Sequence, residues 1–113
     1  MTGGWDNSRP ERTPDALRLA LARIAPHRLG EMQQQKNAAF SLAAEHDSLG
    51  PIHGWLNVWA REVEIERRSD LSTRRRHALD VLHHTGGKGD PAFRVAMDEL
   101  RAVEDEAARA VSE

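Results

Sequence analysis

Apolar residues recur at helical spacing along most of the chain, and the first helix has clear start and stop signals. It begins after Thr13, whose hydroxyl can cap it, with Pro14 at its first position. Its apolar residues keep the i, i+3, i+4, i+7 spacing of one helical face and are Leu17, Ala20, Leu21 and Ile24. Pro26 ends this helix.

A second helix is predicted from about Leu29 to His46, because apolar residues again fall on one face. That face consists of Leu29, Met32, Ala39, Phe40 and Ala43. Lys36 lies in the middle of it. We expect Lys36 either to lay its stem along the edge of the core with the ammonium in water, or to pair with Glu62 or Glu66.

The third helix, predicted over Ile52 to Arg68, is apolar on more than one face. One side is formed by Ile52, Trp55, Leu56, Trp59 and Val63. Val58 and Ile65 point roughly 130° away from that side, at about 100° of rotation per residue. A surface helix needs one apolar stripe. The third helix is therefore either the central element, packed on two sides, or it presents an interface.

Two more helices complete the predicted architecture. Ser69 and Asp70 interrupt the chain, and a fourth helix follows to Thr85, with Leu71, Ala78, Leu79 and Leu82 directed inward. Gly86 to Gly89 form a flexible loop, after which Asp90 caps the fifth helix and Pro91 begins it. The long apolar stripe of the fifth helix is Phe93, Ala96, Met97, Leu100, Val103, Ala107 and Val111.

These patterns predict an all-α fold, a compact bundle of about five helices with the tryptophan-containing third helix at its centre. Residues 13–113 form one helical domain, because 113 residues leave little room for a second. Residues 1–12 contain turn formers and charges without periodicity and are predicted to be a flexible arm. No strand alternation and no internal repeat is visible.

Composition narrows the classes of function. Sixteen basic and eighteen acidic residues give a net charge of -2, so any nucleic-acid footprint must be local. The absence of cysteine excludes disulfides, thiolate metal sites and cysteine nucleophiles. Neither a signal peptide nor a membrane span is visible, and we expect a cytoplasmic protein that contacts no membrane.

A local basic cluster offers one alternative function. Arginines gather at the end of the third helix and the start of the fourth, where Arg67, Arg68, Arg74 and Arg76 provide guanidinium groups suited to phosphate contact. A transcriptional regulator that binds nucleic acid through these residues is therefore an alternative. Because a helix spreads consecutive residues around its surface, a solvated or ion-paired run of arginines is the simpler interpretation.

Catalytic chemistry has weaker support. His77, Asp80 and His84 share one face of the fourth helix and are a metal-ligand set for a metal-dependent enzyme, but that face is directed outward and lacks a recognised metal motif. Glu62 and Glu66 share a face, yet basic neighbours are available to neutralise them. We predict no enzyme, no cofactor and no metal.

Three segments resemble a known family: residues 11–18 (ERTPDALR), 25–29 (APHRL) and 49–68 (LGPIHGWLNVWAREVEIERR). The family is a group of small actinobacterial proteins catalogued as domain of unknown function 6247. The most specific part of the pattern is Leu49, Pro51, Ile52, Trp55 and Trp59. The family has no established activity, but relatives with a similar signature look like the antitoxin half of toxin and antitoxin pairs. Unlike those relatives, this chain adds an arginine-rich helix and a long amphipathic helix.

Taken together, the sequence favours a non-catalytic protein-interaction module that masks a protein partner, in the way that the resemblance implies for an antitoxin. Self-association would bury the same surface. The residues predicted to contact the partner lie on the third helix and are Val58, Ile65, Trp55 and Trp59.

Overall fold

The computed structural model describes residues 8–112, which form five α-helices and no strand. The helices are α1 (Pro14–Ile24), α2 (Leu29–His46), α3 (Gly50–Arg67), α4 (Ser69–His83) and α5 (Pro91–Ser112), with a 3₁₀ turn (Pro26–Arg28) leading into α2. The predicted all-α bundle is confirmed. None of the described helices has both the length and the apolar character needed to cross a bilayer.

Two predicted helix starts are held by the side chains expected to cap them. The Thr13 hydroxyl accepts a hydrogen bond from the Ala16 amide at 3.2 Å, with Pro14 at the first helical position. The Asp90 carboxylate accepts from the amides of Ala92 at 3.0 Å and Gly86 at 3.2 Å, which ties the preceding loop to the start of α5. Local chemistry therefore fixes where α1 and α5 begin.

The junction between α3 and α4 is shorter than predicted. Only Arg68 separates the two helices, with φ -99° and ψ 116°. Ser69 and Asp70, expected to interrupt the chain, instead form the first turn of α4. Asp70 suits that place because a carboxylate is favourable at a helix N-terminus, and it accepts hydrogen bonds from the Arg68 guanidinium at 2.6 and 3.1 Å.

Helix α3 is the centre of the bundle, as predicted, and contacts α1, α2, α4 and α5. The larger core cluster packs α1, α2 and α3 around Leu17, Leu21, Ala25, Met32, Ala39, Trp55, Trp59, Ala60 and Val63. A smaller cluster joins α3 to α4 and α5 through Ile65, Leu71, Val103 and Ala107. Val111, near the end of α5, packs against the larger cluster, so α5 lies along α3.

The described part of the predicted N-terminal arm is in contact with the bundle. Residues 1–7 of that arm lie outside the described residues. Arg9 forms an ion pair with Glu64, and Arg12 donates to the Asn57 side chain at 2.9 Å and to the Val111 carbonyl oxygen. Residues 8–12 are therefore attached to α3 and α5, which corrects the expectation that the whole of residues 1–12 is free.

Candidate protein-interaction surface

The second apolar face of α3, formed by Val58 and Ile65, is divided between the core and the surface. Ile65 is 1% exposed and packs against Leu71, Val103 and Ala107, because α4 and α5 cover this side of α3. Val58, predicted to share that face, is 38% exposed. The prediction that Ile65 is accessible to a partner is thus corrected, and Val58 alone of this pair reaches the surface.

The two tryptophans of α3 are also held inside the protein. The Trp55 indole N–H donates to the Met32 carbonyl oxygen at 3.2 Å, and the Trp59 indole N–H donates to the Gln35 side chain at 3.0 Å. The Arg28 guanidinium lies 4.9 Å from the centroid of the Trp59 ring, within cation–π range. Both rings are buried in the core, which leaves little of either side chain exposed to the partner predicted to contact it.

Two of the arginines predicted to bind nucleic acid form ion pairs with acidic residues that are close to them in the sequence. The Arg67 guanidinium donates to both oxygens of Glu64, at 2.9 and 3.0 Å. Arg68 donates to both oxygens of Asp70 and lies 3.7 Å from Glu64. Hydrogen bonds from Arg68 hold the pKa of Asp70 below its ordinary value. These cations are already neutralised, which leaves little charge for a phosphate backbone.

Arg74, the third of these arginines, is paired across the α4–α5 hairpin. It donates to Glu99 at 2.8 and 3.1 Å and to Glu106 at 3.0 Å, and the hydrogen bonds to Glu99 raise its pKa above the ordinary arginine value. Arg76 is exposed and, among residues 8–112, has no hydrogen bond or ion pair. The structure therefore does not bring the four arginines together as one unpaired basic surface.

The histidine face of α4 is solvent-exposed. His84 Nδ1 lies 2.8 Å from the Asp80 carbonyl oxygen and 3.8 Å from Asp80 Oδ1, and His77 is exposed on the same helix. No group of three histidine or carboxylate side chains within residues 8–112 is arranged to hold a metal ion. His77, Asp80 and His84 are spaced along one helix and receive no further ligand from another described element.

Glu62 of α3 is a buried carboxylate enclosed by three arginines. It accepts hydrogen bonds from Arg28 at 2.8 Å, Arg75 at 2.8 Å and Arg61 at 3.2 Å, and Arg28 also reaches Glu66 at 3.1 Å. Burial alone would raise the pKa of Glu62, but the charge of Arg75 and the hydrogen bonds from Arg28 and Arg75 outweigh it and lower that pKa. An ionised, fully paired carboxylate is structural and is a poor general acid.

The ion pair that the sequence suggested for Glu62 involves a different cation. Lys36 forms no ion pair among the described residues, and its ammonium lies 5.6 Å from the centroid of the Phe40 ring. Arg28, which precedes α2, takes the position beside Glu62 and Glu66 instead. Arg28 lies 34 residues from Glu62 and has no periodic relation to it, so the helical pattern of the sequence did not indicate this pair.

Glu64, on the other side of α3, has an equally buried side chain. Both of its oxygens accept hydrogen bonds from Arg9 at 2.9 Å, in addition to those from Arg67. Burial would raise the pKa of Glu64, and the hydrogen bonds from Arg9 and Arg67 overcome that effect and lower the pKa. The Glu62 and Glu64 groups, each with its surrounding arginines, fasten the N-terminal segment, the start of α2 and helix α4 to α3. We call them the arginine–glutamate junction.

The distal half of the α4–α5 hairpin is built differently. In the proximal half of the hairpin, α4 and α5 pack against Ile65 of α3 through Leu71, Val103 and Ala107. Helix α3 ends at Arg67, but the faces of α4 and α5 that pack against α3 continue into the distal half. On α4, Leu79 and Leu82 follow Arg75, the residue that reaches Glu62 of α3, at spacings of four and seven. On α5, the corresponding face continues through Phe93, Met97 and Leu100, which have the spacing i, i+4 and i+7. We define the distal face as Leu79, Leu82, Phe93, Met97 and Leu100.

The residues of the distal face are incompletely covered. Leu79, predicted to point into the core, is 40% exposed, and the other four are half-buried. The large apolar side chains of this half are therefore partly in water, while Ala78 and Ala96 are its buried residues. The apolar stripe along α5 predicted that Phe93, Met97 and Leu100 share one face of the helix. The stripe could not show that α3 ends before it reaches these residues.

A basic rim borders the distal face. A groove of ≈ 470 Å³ has Phe93 and Met97 in its wall and Lys88, Arg94 and Arg101 around it, with Asp98 the one acid among its lining residues. Asp98 accepts a hydrogen bond from Arg101 at 3.2 Å. Lys88 and Arg94 form no ion pair within residues 8–112. The groove thus places an excess of positive charge beside two apolar side chains of the distal face, Phe93 and Met97.

Comparisons of this chain with family models, with curated proteins and with solved structures found no match.

Proposed function

We propose that this protein is a non-catalytic, helical protein-interaction module of the cytoplasm, and that the distal face of its α4–α5 hairpin binds an acidic amphipathic helix of a protein partner. Masking that helix would be the antitoxin-like role expected from the family resemblance. The observation that supports the proposal is the continuation of the α3-binding faces of α4 and α5 beyond the end of α3.

The geometry favours a helix as the occupant. In the proximal half, α3 supplies Ile65 to the surface formed by Leu71, Val103 and Ala107 and completes a three-helix layer. In the distal half the same two helices present Leu79, Leu82, Phe93, Met97 and Leu100 with no third helix among residues 8–112. A helix from a partner would bury these side chains as α3 does, by helix-in-groove recognition.

The charge of the rim favours acidic residues on that helix. The groove is lined by three basic side chains and a single acidic one, which are Lys88, Arg94, Arg101 and Asp98. Complementary charge at a rim mainly raises the association rate and selects the partner, whereas the apolar centre provides most of the affinity. Binding should therefore weaken with salt and persist at moderate ionic strength.

Site-specific photo-cross-linking in the cells that naturally produce the protein tests this proposal. A photoreactive phenylalanine analogue replaces Leu79 in one variant and Leu19 in the matched control, because Leu19 is 54% exposed on α1, away from the distal face. We expect a single protein adduct at position 79 that is absent at position 19. Adding Met97→Asp should abolish the adduct while leaving the helical circular dichroism unchanged.

Three results would contradict the proposal. Equal adducts at positions 79 and 19 would show non-specific contact, and an adduct formed only with a second copy of the chain would replace the partner by a homodimer. Adducts that vanish after nuclease treatment would favour nucleic acid bound through the exposed Arg76 and its neighbours.

A further inference from the structure

A cleft between α1 and the start of α2 is separate from the distal face and has the character of a small-molecule site. Its volume is ≈ 250 Å³, about that of eight water molecules in the liquid. The apolar residues Leu29, Met32 and Trp55 line it, and a Cβ added at Gly30, which also lines the cleft, would meet no atom within 4 Å. The cleft is smaller than the usual pocket for a drug-sized molecule, so it suits a more compact ligand.

The floor of the cleft is preorganised. Trp55 and Met32 are both buried, and the hydrogen bond from the Trp55 indole N–H to the Met32 carbonyl oxygen fixes the ring. A ligand would therefore meet an apolar surface that is already in place and already satisfied in its hydrogen bonds. Preorganisation of this kind reduces the cost of binding.

Two cations flank this floor, and the residues that line the cleft include no carboxylate. Arg18, on α1, is exposed and forms no ion pair within residues 8–112. The Lys36 ammonium also forms no ion pair within these residues, and it lies over the Phe40 ring at cation–π distance. This differs from the arginine–glutamate junction, where each guanidinium faces an acid. The positive charge at the cleft is thus left for a ligand.

We propose that this cleft binds a small monoanion with an apolar or aromatic body. The body lies against Trp55 and Met32, and the anionic group lies between the Arg18 guanidinium and the Lys36 ammonium. This site is independent of the partner-binding function and does not require it.

The test follows amide and indole signals of the full chain by NMR during titration with phenylacetate, with its neutral isostere phenylacetamide, and with inorganic phosphate. We expect saturable shifts at the Trp55 indole N–H and the Gly30 amide. Phenylacetate should bind about fivefold more tightly than phenylacetamide at low salt, the upper range for a solvent-exposed charge pair. The double substitution Arg18→Gln with Lys36→Gln should remove that difference.

A matched pair of glycine variants separates binding from folding. A side chain at Gly30 would enter open space at the cleft, and one at Gly54, on an exposed part of α3, would also meet nothing. Both Gly30→Leu and Gly54→Leu raise helix propensity, so both variants should fold. Gly30→Leu should abolish the phenylacetate shifts and Gly54→Leu should preserve them.

Several results would overturn the proposal. One is the absence of saturable shifts at Trp55, and another is equal affinity for phenylacetate and phenylacetamide. A third is that Gly30→Leu still binds phenylacetate. The last is that inorganic phosphate binds as tightly as phenylacetate, which would show that the site binds any anion without using its apolar residues.

Discussion

The arginine–glutamate junction and the distal half of the α4–α5 hairpin use the same helices in opposite ways. At the junction, α3 is present, and two buried carboxylates, Glu62 and Glu64, are each surrounded by arginines. In the distal half, α3 is absent, and apolar side chains as large as Phe93 and Met97 are partly exposed to water. The first region is complete within the described chain, and the second has the composition of a core without the helix that would cover it.

This difference indicates which region holds the fold and which is available for binding. Buried charges tolerate little change, because removing one partner leaves the others unpaired. Partly exposed apolar residues tolerate truncation, since they contribute less to the free energy of unfolding. We therefore expect substitutions at the junction and in the core to cost more free energy of unfolding than substitutions on the distal face.

The largest effect is expected at Glu62. Glu62→Leu leaves Arg28 and Arg75 without their buried partner and should reduce the free energy of unfolding by about 3–5 kcal/mol. Urea denaturation followed by circular dichroism measures this loss. Glu31→Ala is the matched control, because Glu31 is a more exposed partner of Arg28 and should cost at most about 1 kcal/mol. Equal losses in the two variants would show that burial of the pair has no special role.

Two leucines of α4 compare the two halves of the hairpin directly. Leu71 is fully buried beside Ile65, whereas Leu79 lies on the distal face. Leu71→Ala should therefore destabilise the protein by about 3 kcal/mol and Leu79→Ala by less than about 1 kcal/mol. Chemical denaturation of both variants provides the values. If Leu79→Ala were as costly as Leu71→Ala, the distal face would be ordinary core.

Acid should weaken the junction to a smaller extent. The folded-state pKa values of Glu62 and Glu64 are lowered, so their ionised forms stabilise the fold above the unfolded pKa of about 4.3. That stability is lost as the pH falls below about 4 and through the folded pKa values. Urea midpoints measured from pH 7 to pH 3 should fall steeply in the natural protein. Glu64→Gln should show a shallower fall, and an unchanged slope would contradict the role of Glu64.

The smallest effect is expected at the tip of the hairpin. Asp90→Ala removes the acceptor for the amides of Ala92 and Gly86 and should cost about 1 kcal/mol. Hydrogen exchange should locate the change in the first turn of α5. Asp80→Ala, an exposed acid on α4, is the control and should leave exchange at α5 unaltered.

The sequence predicted local features well and long-range ones poorly. Thr13 and Asp90 cap helices through contacts within a few residues, so their type and position were sufficient to place α1 and α5. The pairs Arg28 with Glu62 and Arg9 with Glu64 join residues 34 and 55 positions apart, and no helical period relates them. Their partners follow from how the helices pack.

The candidate site shows the same limit. A helical wheel indicated that Leu79 and Ile65 belong to apolar faces, but not whether another helix reaches them. In the structure α4 and α5 cover Ile65, while α3 ends before it reaches Leu79. The residues predicted to bind a partner on α3 are therefore mostly core, and the distal face, where Leu79 is 40% exposed, lies on α4 and α5.

The distal face lies beyond the end of α3, and we propose that a partner covers it. Amide hydrogen exchange of the full chain, purified alone and in the complex isolated from its own cells, tests whether a partner covers this face. We expect amides around Leu79 and Met97 to exchange faster than those around Leu71 and Val103 in the free protein, and we expect them alone to become protected in the complex. Uniform protection of both halves in the free protein, or new protection confined to α1 or Val58, would contradict the proposal.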